Sequence, residues 1–379
     1  IKMDLMIEGV NIQESALEGV GTKYCEKIIF LFDYTRYGLK GGTLLPSEMM
    51  LPEGTCYMVM YDTRSPYLVR KEDGALVLEK NGKFVSTVRW NERPEYYNRK
   101  TSYGTEMRKI AQFRGDCGII ACISNFCSNW KNGDQCLYCN FDVAQKSTTT
   151  TATVKETLYE KRSAREVGEV IEAAVEEGIR PCFITSSGDL PGSGVTDSTL
   201  RIIQAVKEAT RQDAMIGCVN LAAPDNLEDI DRLYEAGARN IAMNMEIWNP
   251  DMFKAICPGK AKRVGQEHWK RALEYAVSVF GRGNVISGLV VGLEPKESYY
   301  EAAHWMSEKG IFFADNCFRP DAGSKLENHR PPRPEWFLEV MEKSFDLAAI
   351  HLPEMFTREY SNSDKVGCYR CAGSNLCWD

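Results

Sequence analysis

The alternation of apolar and amphipathic segments from residue 116 onward constrains the fold of this 379-residue chain more than any other feature. Short apolar runs of strand length are followed by segments whose apolar residues recur at helical spacing. This pattern is typical of βα units, which build a parallel sheet covered by helices. Counting from the apolar run before Cys127, the sequence predicts six such units.

The parts of the chain on either side of these units differ in character. Residues 1–115 contain short β-rich runs separated by turns such as Glu79-Lys-Asn-Gly82, which is typical of an antiparallel meander. We expect a separate β-rich domain there, whose role the sequence does not indicate beyond a lid or a dimerisation module. Residues 116–332 would form the βα domain. Residues 333–379 would form a C-terminal helix and a cysteine-rich tail.

Two helix starts can be predicted from local capping signals. Ser163-Ala-Arg-Glu166 reads as a capping box that opens a helix running towards Gly178. Asn249 precedes Pro250, and asparagine at the N-cap followed by proline at the first helical position favours a second helix start.

Charge and cysteine content narrow the class of protein. The formal net charge of -7 argues against a nucleic-acid backbone as the main partner. No apolar stretch approaches the roughly 20 residues of a membrane span, and the first residues lack a secretory pattern, so we expect a cytoplasmic protein without a membrane partner. Fourteen cysteines are too dilute for a disulfide scaffold. Metal ligation in a reducing compartment, as in an anaerobic organism, explains them better.

Three of these cysteines, Cys127, Cys136 and Cys139, are spaced C-x8-C-x2-C directly after the first apolar run. Three thiolates from one loop suit an iron-sulfur cluster whose fourth iron stays open to a small molecule, whereas a site with four protein ligands is closed. A zinc knuckle or buried, chemically idle thiols are the alternatives. Zinc is disfavoured because none of the four histidines lies beside this loop.

This segment resembles the cluster loop of the radical S-adenosylmethionine (SAM) superfamily, which usually reads C-x3-C-x-aromatic-C after the first barrel strand. Tyr138 takes the aromatic position, but the first gap is five residues longer than usual. The resemblance implies an α/β fold with a partial (β/α)6 barrel of radical SAM type. It also implies a [4Fe-4S] cluster on Cys127, Cys136 and Cys139, with S-adenosylmethionine as the cosubstrate.

Later segments resemble the biotin-synthase-like branch of that superfamily at the predicted carboxyl ends of strands. One is similar to the Gly-Gly-Glu segment that receives the methionine ammonium group. Another places two polar residues two positions apart, hence on one strand face. A third is similar to the adenine-binding G-x-I-x-G-x-x-E segment, with the acid, Glu294, one residue early. The resemblance implies that the cosubstrate is bound by Tyr138, Ser186, Ser187, Gly188, Asp189, Asn244, Glu246, His268, Gly288 and Gly292.

The sequence does not decide which of several basic residues would bind the methionine carboxylate. Members of the branch often have an arginine near the start of the helix before the fifth strand, and His268 takes that place here. Arg263, Lys270 and Arg271 lie close by in the sequence. A charged helix face is the simpler interpretation of Lys270.

The tail carries Cys368, Cys371 and Cys377, spaced C-x2-C-x5-C. The spacing resembles part of the extension found in peptide-modifying members. It suggests a second iron-sulfur cluster, with Cys317 or an N-terminal cysteine as a conceivable fourth ligand. A zinc site and a tail whose thiols bind no metal are the alternatives.

The resemblance implies a radical enzyme that cleaves S-adenosylmethionine reductively and abstracts hydrogen from a small-molecule or peptide substrate. Sulfur insertion, rearrangement or C-C bond formation in cofactor or natural-product biosynthesis would follow. A flavodoxin- or ferredoxin-type protein would supply the electron. The alternative is a non-catalytic iron-sulfur or zinc protein that transfers electrons or scaffolds a partner, which would have no affinity for S-adenosylmethionine.

Overall fold

The protein is built around two β-sheets in a computed structural model that describes residues 1–27, 43–52, 54–115, 118–122, 127–140, 163–185, 194–215 and 217–353. The strands are β1 (Asn11–Ile12), β2 (Glu48–Met50), β3 (Cys56–Met58), β4 (Tyr67–Glu72), β5 (Ala75–Lys80), β6 (Lys83–Trp90), β7 (Ala111–Arg114), β8 (Gly118–Cys122), β9 (Arg180–Thr185), β10 (Val219–Asn220), β11 (Ile241–Ala242), β12 (Val285–Val291) and β13 (Ile311–Cys317). The α-helices of these ranges are α1 (Lys2–Glu8), α2 (Ser128–Lys131), α3 (Ala164–Glu176), α4 (Gly194–Thr210), α5 (Glu228–Ala236), α6 (Pro250–Ile256), α7 (Pro258–Arg263), α8 (Gln266–Phe280), α9 (Lys296–Lys309) and α10 (Pro334–His351).

The first sheet has the strand order β1-β4-β5-β6-β2-β3. Strands β4, β5 and β6 pair antiparallel in chain order, which confirms the predicted meander. Their two connecting turns use Asp73-Gly74 and Asn81-Gly82, all with positive φ. Turns of this kind match the right-handed twist of paired strands. Strand β1 departs from the meander because it pairs with β4 in parallel.

The second sheet contains the six βα strands in chain order, β8 to β13, each paired in parallel with the next. This arrangement confirms the predicted α/β fold with a partial (β/α)6 barrel. Strand β7 adds an antiparallel edge beside β8. Every residue of β12 is buried, as expected for a parallel strand covered on both faces. A small apolar cluster lines one face across the sheet and includes Ile120, Cys218, Ala242, Ile286 and Ala314.

Two strands are much shorter than the sequence suggests. Apolar runs at residues 214–221 and 239–247 predict strands of about that length, but β10 and β11 each contain two residues. Gly217, with φ of 102°, interrupts the extended conformation before β10. Glu246, with φ of 75°, does so after β11.

Both predicted helix caps are present. The Ser163 hydroxyl accepts a hydrogen bond from the Glu166 amide at 3.2 Å and donates one to its carboxylate at 2.9 Å. The Asn249 side chain accepts hydrogen bonds from the amides of Asp251 and Met252, both at 3.1 Å, with Pro250 at the first helical position. Within the described residues, α4 covers Gly194–Thr210.

A buried carboxylate joins the two sheets. Glu48 on β2 accepts hydrogen bonds from the Gly115 amide at 2.7 Å and from the Asn91 side chain at 2.9 Å. It also pairs with Arg114, the last residue of β7, at 3.2 Å. Burial raises the pKa of Glu48, and the charge of Arg114 opposes that rise. In the described parts of the chain, every helix is too short or too polar to cross a membrane.

Candidate functional site

The site begins at the loop of residues 127–139, called the cluster loop below, which follows β8 at its carboxyl end. Cys127, Cys136 and Cys139 are all half-buried there and belong to no disulfide. Helix α2 takes up the first four of the eight residues between Cys127 and Cys136. Part of the additional length of this gap is therefore folded as one turn of helix.

Hydrogen-bond donors lie beside two of the three sulfur atoms. The indole nitrogen of Trp130 donates to Cys139 Sγ at 3.3 Å. The thiol of Cys257 lies within hydrogen-bond reach of the Cys136 sulfur and lowers the pKa of Cys136, an effect that burial opposes and Lys260 reinforces. Cys257 itself is fully buried. The sequence did not predict a role for it.

A buried ion pair stands next to Cys136. Lys260 Nζ donates to Glu246 Oε1 at 3.0 Å and to the carbonyl oxygen of Asn244 at 2.8 Å. It also lies 4.7 Å from the centroid of the Trp269 ring. Burial alone would lower the pKa of Lys260, but Glu246 and Cys136 outweigh it and raise that pKa. The cation thus links the cluster loop to the segment that follows β11.

Asn244 and Glu246 are both half-buried and alternate with the buried residues Met243, Met245 and Ile247. Asn244 Oδ1 accepts a hydrogen bond from the Gly288 amide at 3.0 Å. A Cβ atom at Gly288 would lie 3.1 Å from Asn244 Oδ1 and 3.2 Å from Asn316 Nδ2. Glycine at this position therefore lets the side-chain amides approach the β12 backbone closely.

Gly292 and Glu294 belong to the turn that follows β12, and contacts of both residues stabilise it. Gly292 has φ of 116°, and a Cβ atom there would lie 2.8 Å from Pro332 Cδ. The amides of residues 292, 293 and 294 all donate to the Tyr299 hydroxyl at 2.9–3.0 Å. The Glu294 carboxylate accepts from the amides of Trp248 at 2.9 Å and Asn249 at 2.6 Å. Burial raises the pKa of Glu294 to about 7, against these two hydrogen bonds.

The four basic candidates for the methionine carboxylate all have protein partners. His268 Nε2 is 2.8 Å from the Pro224 carbonyl oxygen, and Arg271 approaches the other ring nitrogen at 3.4 Å. Arg263 pairs with Asp225 at 3.4 Å. Lys270 pairs with Glu267 at 3.5 Å and lies over the Trp248 ring.

The remaining sequence-predicted residues divide into two groups. Cys317 is buried at the end of β13, and its thiol faces the Phe318 carbonyl oxygen at 3.5 Å. Ser186, Ser187, Gly188 and Asp189 lie outside the described residues, as do Cys368, Cys371 and Cys377. Within the described ranges, no three His, Cys, Asp or Glu side chains converge on one metal ion. The thiolates of an iron-sulfur cluster bind separate iron atoms, so they need not converge on one point.

Comparison with known proteins identifies the family. The model of the Radical SAM superfamily matches residues 123–306, which contain the cluster loop and the strand ends described above. The chain belongs to the radical SAM superfamily. Membership implies a [4Fe-4S] cluster and S-adenosylmethionine as cofactors. The three thiols of the cluster loop, with their hydrogen-bond donors and the nearby Lys260, are a donor set that fits such a cluster.

Two relatives of this radical SAM protein are similar over part of its length. The bacteriochlorophyllide c C-7(1)-hydroxylase of Chlorobaculum limnaeum is 27% identical over 229 residues, which cover 58% of this chain and 57% of the relative. The uncharacterized protein MJ0785 of Methanocaldococcus jannaschii is 26% identical over 207 residues, covering 52% and 48%. The chain thus spans about half the length of these relatives.

Solved structures show more distant similarity. The [FeFe]-hydrogenase maturase HydG is 17% identical with a TM-score of 0.46, over 65% of this chain and 52% of HydG. Methylornithine synthase (PylB) is also 17% identical, with a TM-score of 0.44 over 60% of this chain and 62% of that protein. At this level of similarity, neither structure indicates a substrate.

Proposed function

We propose that the protein is a radical SAM enzyme that abstracts hydrogen from a small-molecule or peptide substrate in the biosynthesis of a cofactor or natural product. Cys127, Cys136 and Cys139 would hold the [4Fe-4S] cluster. When bound, the reduced cluster and S-adenosylmethionine supply a deoxyadenosyl radical, which removes hydrogen from an unactivated carbon. The observation that carries the proposal is the meeting of the cluster loop with the strand-end residues Asn244 and Glu246 around Lys260.

The protein's own residues would orient the reacting groups and exclude water. Lys260 places a positive charge beside the Cys136 sulfur, which favours the thiolate form that metal binding requires. Leu137 and Tyr138 of the cluster loop pack against an apolar cluster formed by Val290, Phe318 and Leu326. Such a cluster keeps water from one side of the loop and so helps to prevent quenching of a radical.

Further contacts belong to the same proposal. Asp189, with Ser186, Ser187 and Gly188, would receive the methionine ammonium group of the cosubstrate. Cys368, Cys371 and Cys377 would bind a second iron-sulfur cluster. A flavodoxin- or ferredoxin-type protein would donate the electron. Free thiols and iron-sulfur clusters persist in a reducing compartment, which supports a cytoplasmic location.

The reaction after hydrogen abstraction has several candidates. Sulfur insertion, rearrangement and C-C bond formation are all compatible with the residues described. Hydroxylation is a further candidate, because the relative from Chlorobaculum limnaeum is a hydroxylase. Loss of sulfide during turnover would distinguish sulfur insertion from the other reactions.

The test is the release of deoxyadenosine. Protein reconstituted with iron and sulfide under anaerobic conditions would be reduced with dithionite, given S-adenosylmethionine, and assayed by mass spectrometry. We expect release by the wild type and none by Cys136→Ala. A fully iron-loaded wild type that neither binds S-adenosylmethionine nor releases deoxyadenosine would favour the electron-transfer or scaffold alternative.

A further inference from the structure

We propose that residues 256–263, called the docking segment below, set the position of the cluster loop, with Gly259 and Cys257 as positioning residues. The docking segment consists of the end of α6, the junction at Cys257 and all of α7. The inference rests on the proposed function, because it concerns the loop that would hold the cluster.

Backbone hydrogen bonds fix the cluster loop to the docking segment at two points. The Leu137 amide donates to the Ile256 carbonyl oxygen at 2.9 Å, and the Gly259 amide donates to the Asp134 carbonyl oxygen at 3.0 Å. The two bonds lie three residues apart on both partners, so the loop and the segment run side by side. Lys262 adds an ion pair with Asp134 at 2.6 Å, but Lys262 is exposed and such pairs contribute little to stability.

Gly259 leaves no room between the two elements. A Cβ atom there would lie 2.6 Å from the Asp134 carbonyl oxygen and would overlap the side-chain amide of Asn129. The φ angle of Gly259 is not positive, so the backbone itself would accept alanine. The three atoms nearest to such a Cβ all belong to the cluster loop.

Both residues that face Gly259 belong to the long gap of the C-x8-C spacing. Asn129 lies in α2 and is buried, and Asp134 follows α2 by three residues. The docking segment therefore provides a fitted surface for the part of the loop that exceeds the usual spacing. A longer loop would otherwise cost conformational entropy when its two end cysteines bind one cluster.

Docking also places Cys257 beside a cluster ligand. Because the Leu137 amide bonds the Ile256 carbonyl oxygen, the neighbouring residues Cys136 and Cys257 lie next to each other, and the Cys257 thiol is within hydrogen-bond reach of the Cys136 sulfur. Cys257 is completely buried, so this donor is fixed in place. Hydrogen bonds to cluster sulfurs are one determinant of the reduction potential.

The first experiment measures hydrogen-deuterium exchange of the cluster loop in the metal-free protein. We expect Gly259→Ala to speed exchange at the Leu137 amide on the order of tenfold, because overpacking at a close contact destabilises the docked loop. The matched control is Lys254→Ala on α6, an exposed residue whose ion pair with Asp251 lies within that helix. It should leave exchange at Leu137 within about twofold of wild type, because exposed pairs contribute little to stability.

The reconstituted protein provides a second readout, the rate at which a chelator removes iron under anaerobic conditions. Gly259→Ala should release iron on the order of tenfold faster than wild type and Lys254→Ala. Unchanged exchange and unchanged iron release in Gly259→Ala would overturn the inference. If the wild type binds no cluster, the proposed function is wrong, while exchange in the metal-free protein still decides whether the segment positions the loop.

Cys257 variants decide the matter if Gly259→Ala does not fold. Loss of the donor in Cys257→Ala should lower the reduction potential of the cluster, since a hydrogen bond to sulfur stabilises the more negative reduced state. Cys257→Ser keeps a donor and should restore most of the shift, with full iron content in both variants. A potential that is the same in all three proteins, or loss of iron comparable with that of Cys136→Ala, would contradict a positioning role.

Discussion

Among single residues, the site depends on Lys260, a largely buried cation whose charge is neutralised by Glu246. Lys260 and Glu246 are each only 16% exposed at the side chain, and the pair lies beside Cys136. Removing one partner of a buried pair leaves a charge without compensation, which costs more than removing both partners.

Lys260→Met should therefore destabilise the metal-free protein by about 2–4 kcal/mol, measured by denaturant unfolding. The double variant Lys260→Met/Glu246→Gln is the control, and it should recover much of that loss because no unpaired carboxylate remains. Equal stability of the wild type and Lys260→Met would show that the ion pair does not support the site.

The raised pKa of Glu294 predicts that the free energy of unfolding depends on pH. Its pKa is raised to about 7 from an ordinary 4.5, so the folded state disfavours the ionised form. The protonated carboxyl contributes its full stability below about pH 4.5, and this contribution is lost as pH rises through 7. The free energy of unfolding of the wild type should thus fall between pH 5 and pH 8 by up to about 3 kcal/mol more than that of Glu294→Gln. Parallel pH profiles of the two proteins would contradict this account of Glu294.

At the scale of elements, local signals proved more predictable than strand length. The caps at Ser163 and Asn249 involve residues within three positions of each other, so the sequence contains the whole interaction. The lengths of β10 and β11 depend on backbone turns at Gly217 and Glu246, which an apolar run does not reveal. Propensity gives no warning of a non-glycine residue with positive φ.

The N-cap of α6 should contribute measurably to the free energy of unfolding. Asn249→Ala should reduce stability by about 1 kcal/mol, because two amides of the first turn lose their acceptor. Asn249→Asp is the control, since it keeps an acceptor at the N-cap and should lie close to wild type. Urea denaturation would measure both differences, and an unchanged midpoint in Asn249→Ala would show that water replaces the cap without loss.

Contacts between distant parts of the chain explain what sequence reasoning missed at the site. The spacing of Cys127, Cys136 and Cys139 and the polar strand ends could be read directly. The pairing of Cys136 with Cys257 could not, because it follows from the way α6 and α7 pack on the cluster loop. The hydrogen bonds that Glu294 accepts from the turn before α6 likewise join residues that are distant in the sequence.

At the scale of the whole molecule, Glu48 connects the first sheet to the β7 edge of the second. The sequence predicts that residues 1–115 form a separate domain, and we keep that proposal. Because the buried Glu48 carboxylate contacts both sheets, we nevertheless expect the two sheets to unfold together. Glu48→Ala should destabilise the protein by about 3–5 kcal/mol, because it leaves Arg114 without its buried partner. Calorimetry of the wild type should show one transition, and two resolved transitions would contradict the coupling.

We propose that the cluster held by Cys127, Cys136 and Cys139 binds S-adenosylmethionine at an open iron. The most direct test is the electron paramagnetic resonance spectrum of the dithionite-reduced, iron-loaded protein before and after S-adenosylmethionine is added. We expect the signal of the reduced cluster to shift when S-adenosylmethionine is added. An identical spectrum from a fully loaded cluster would contradict it.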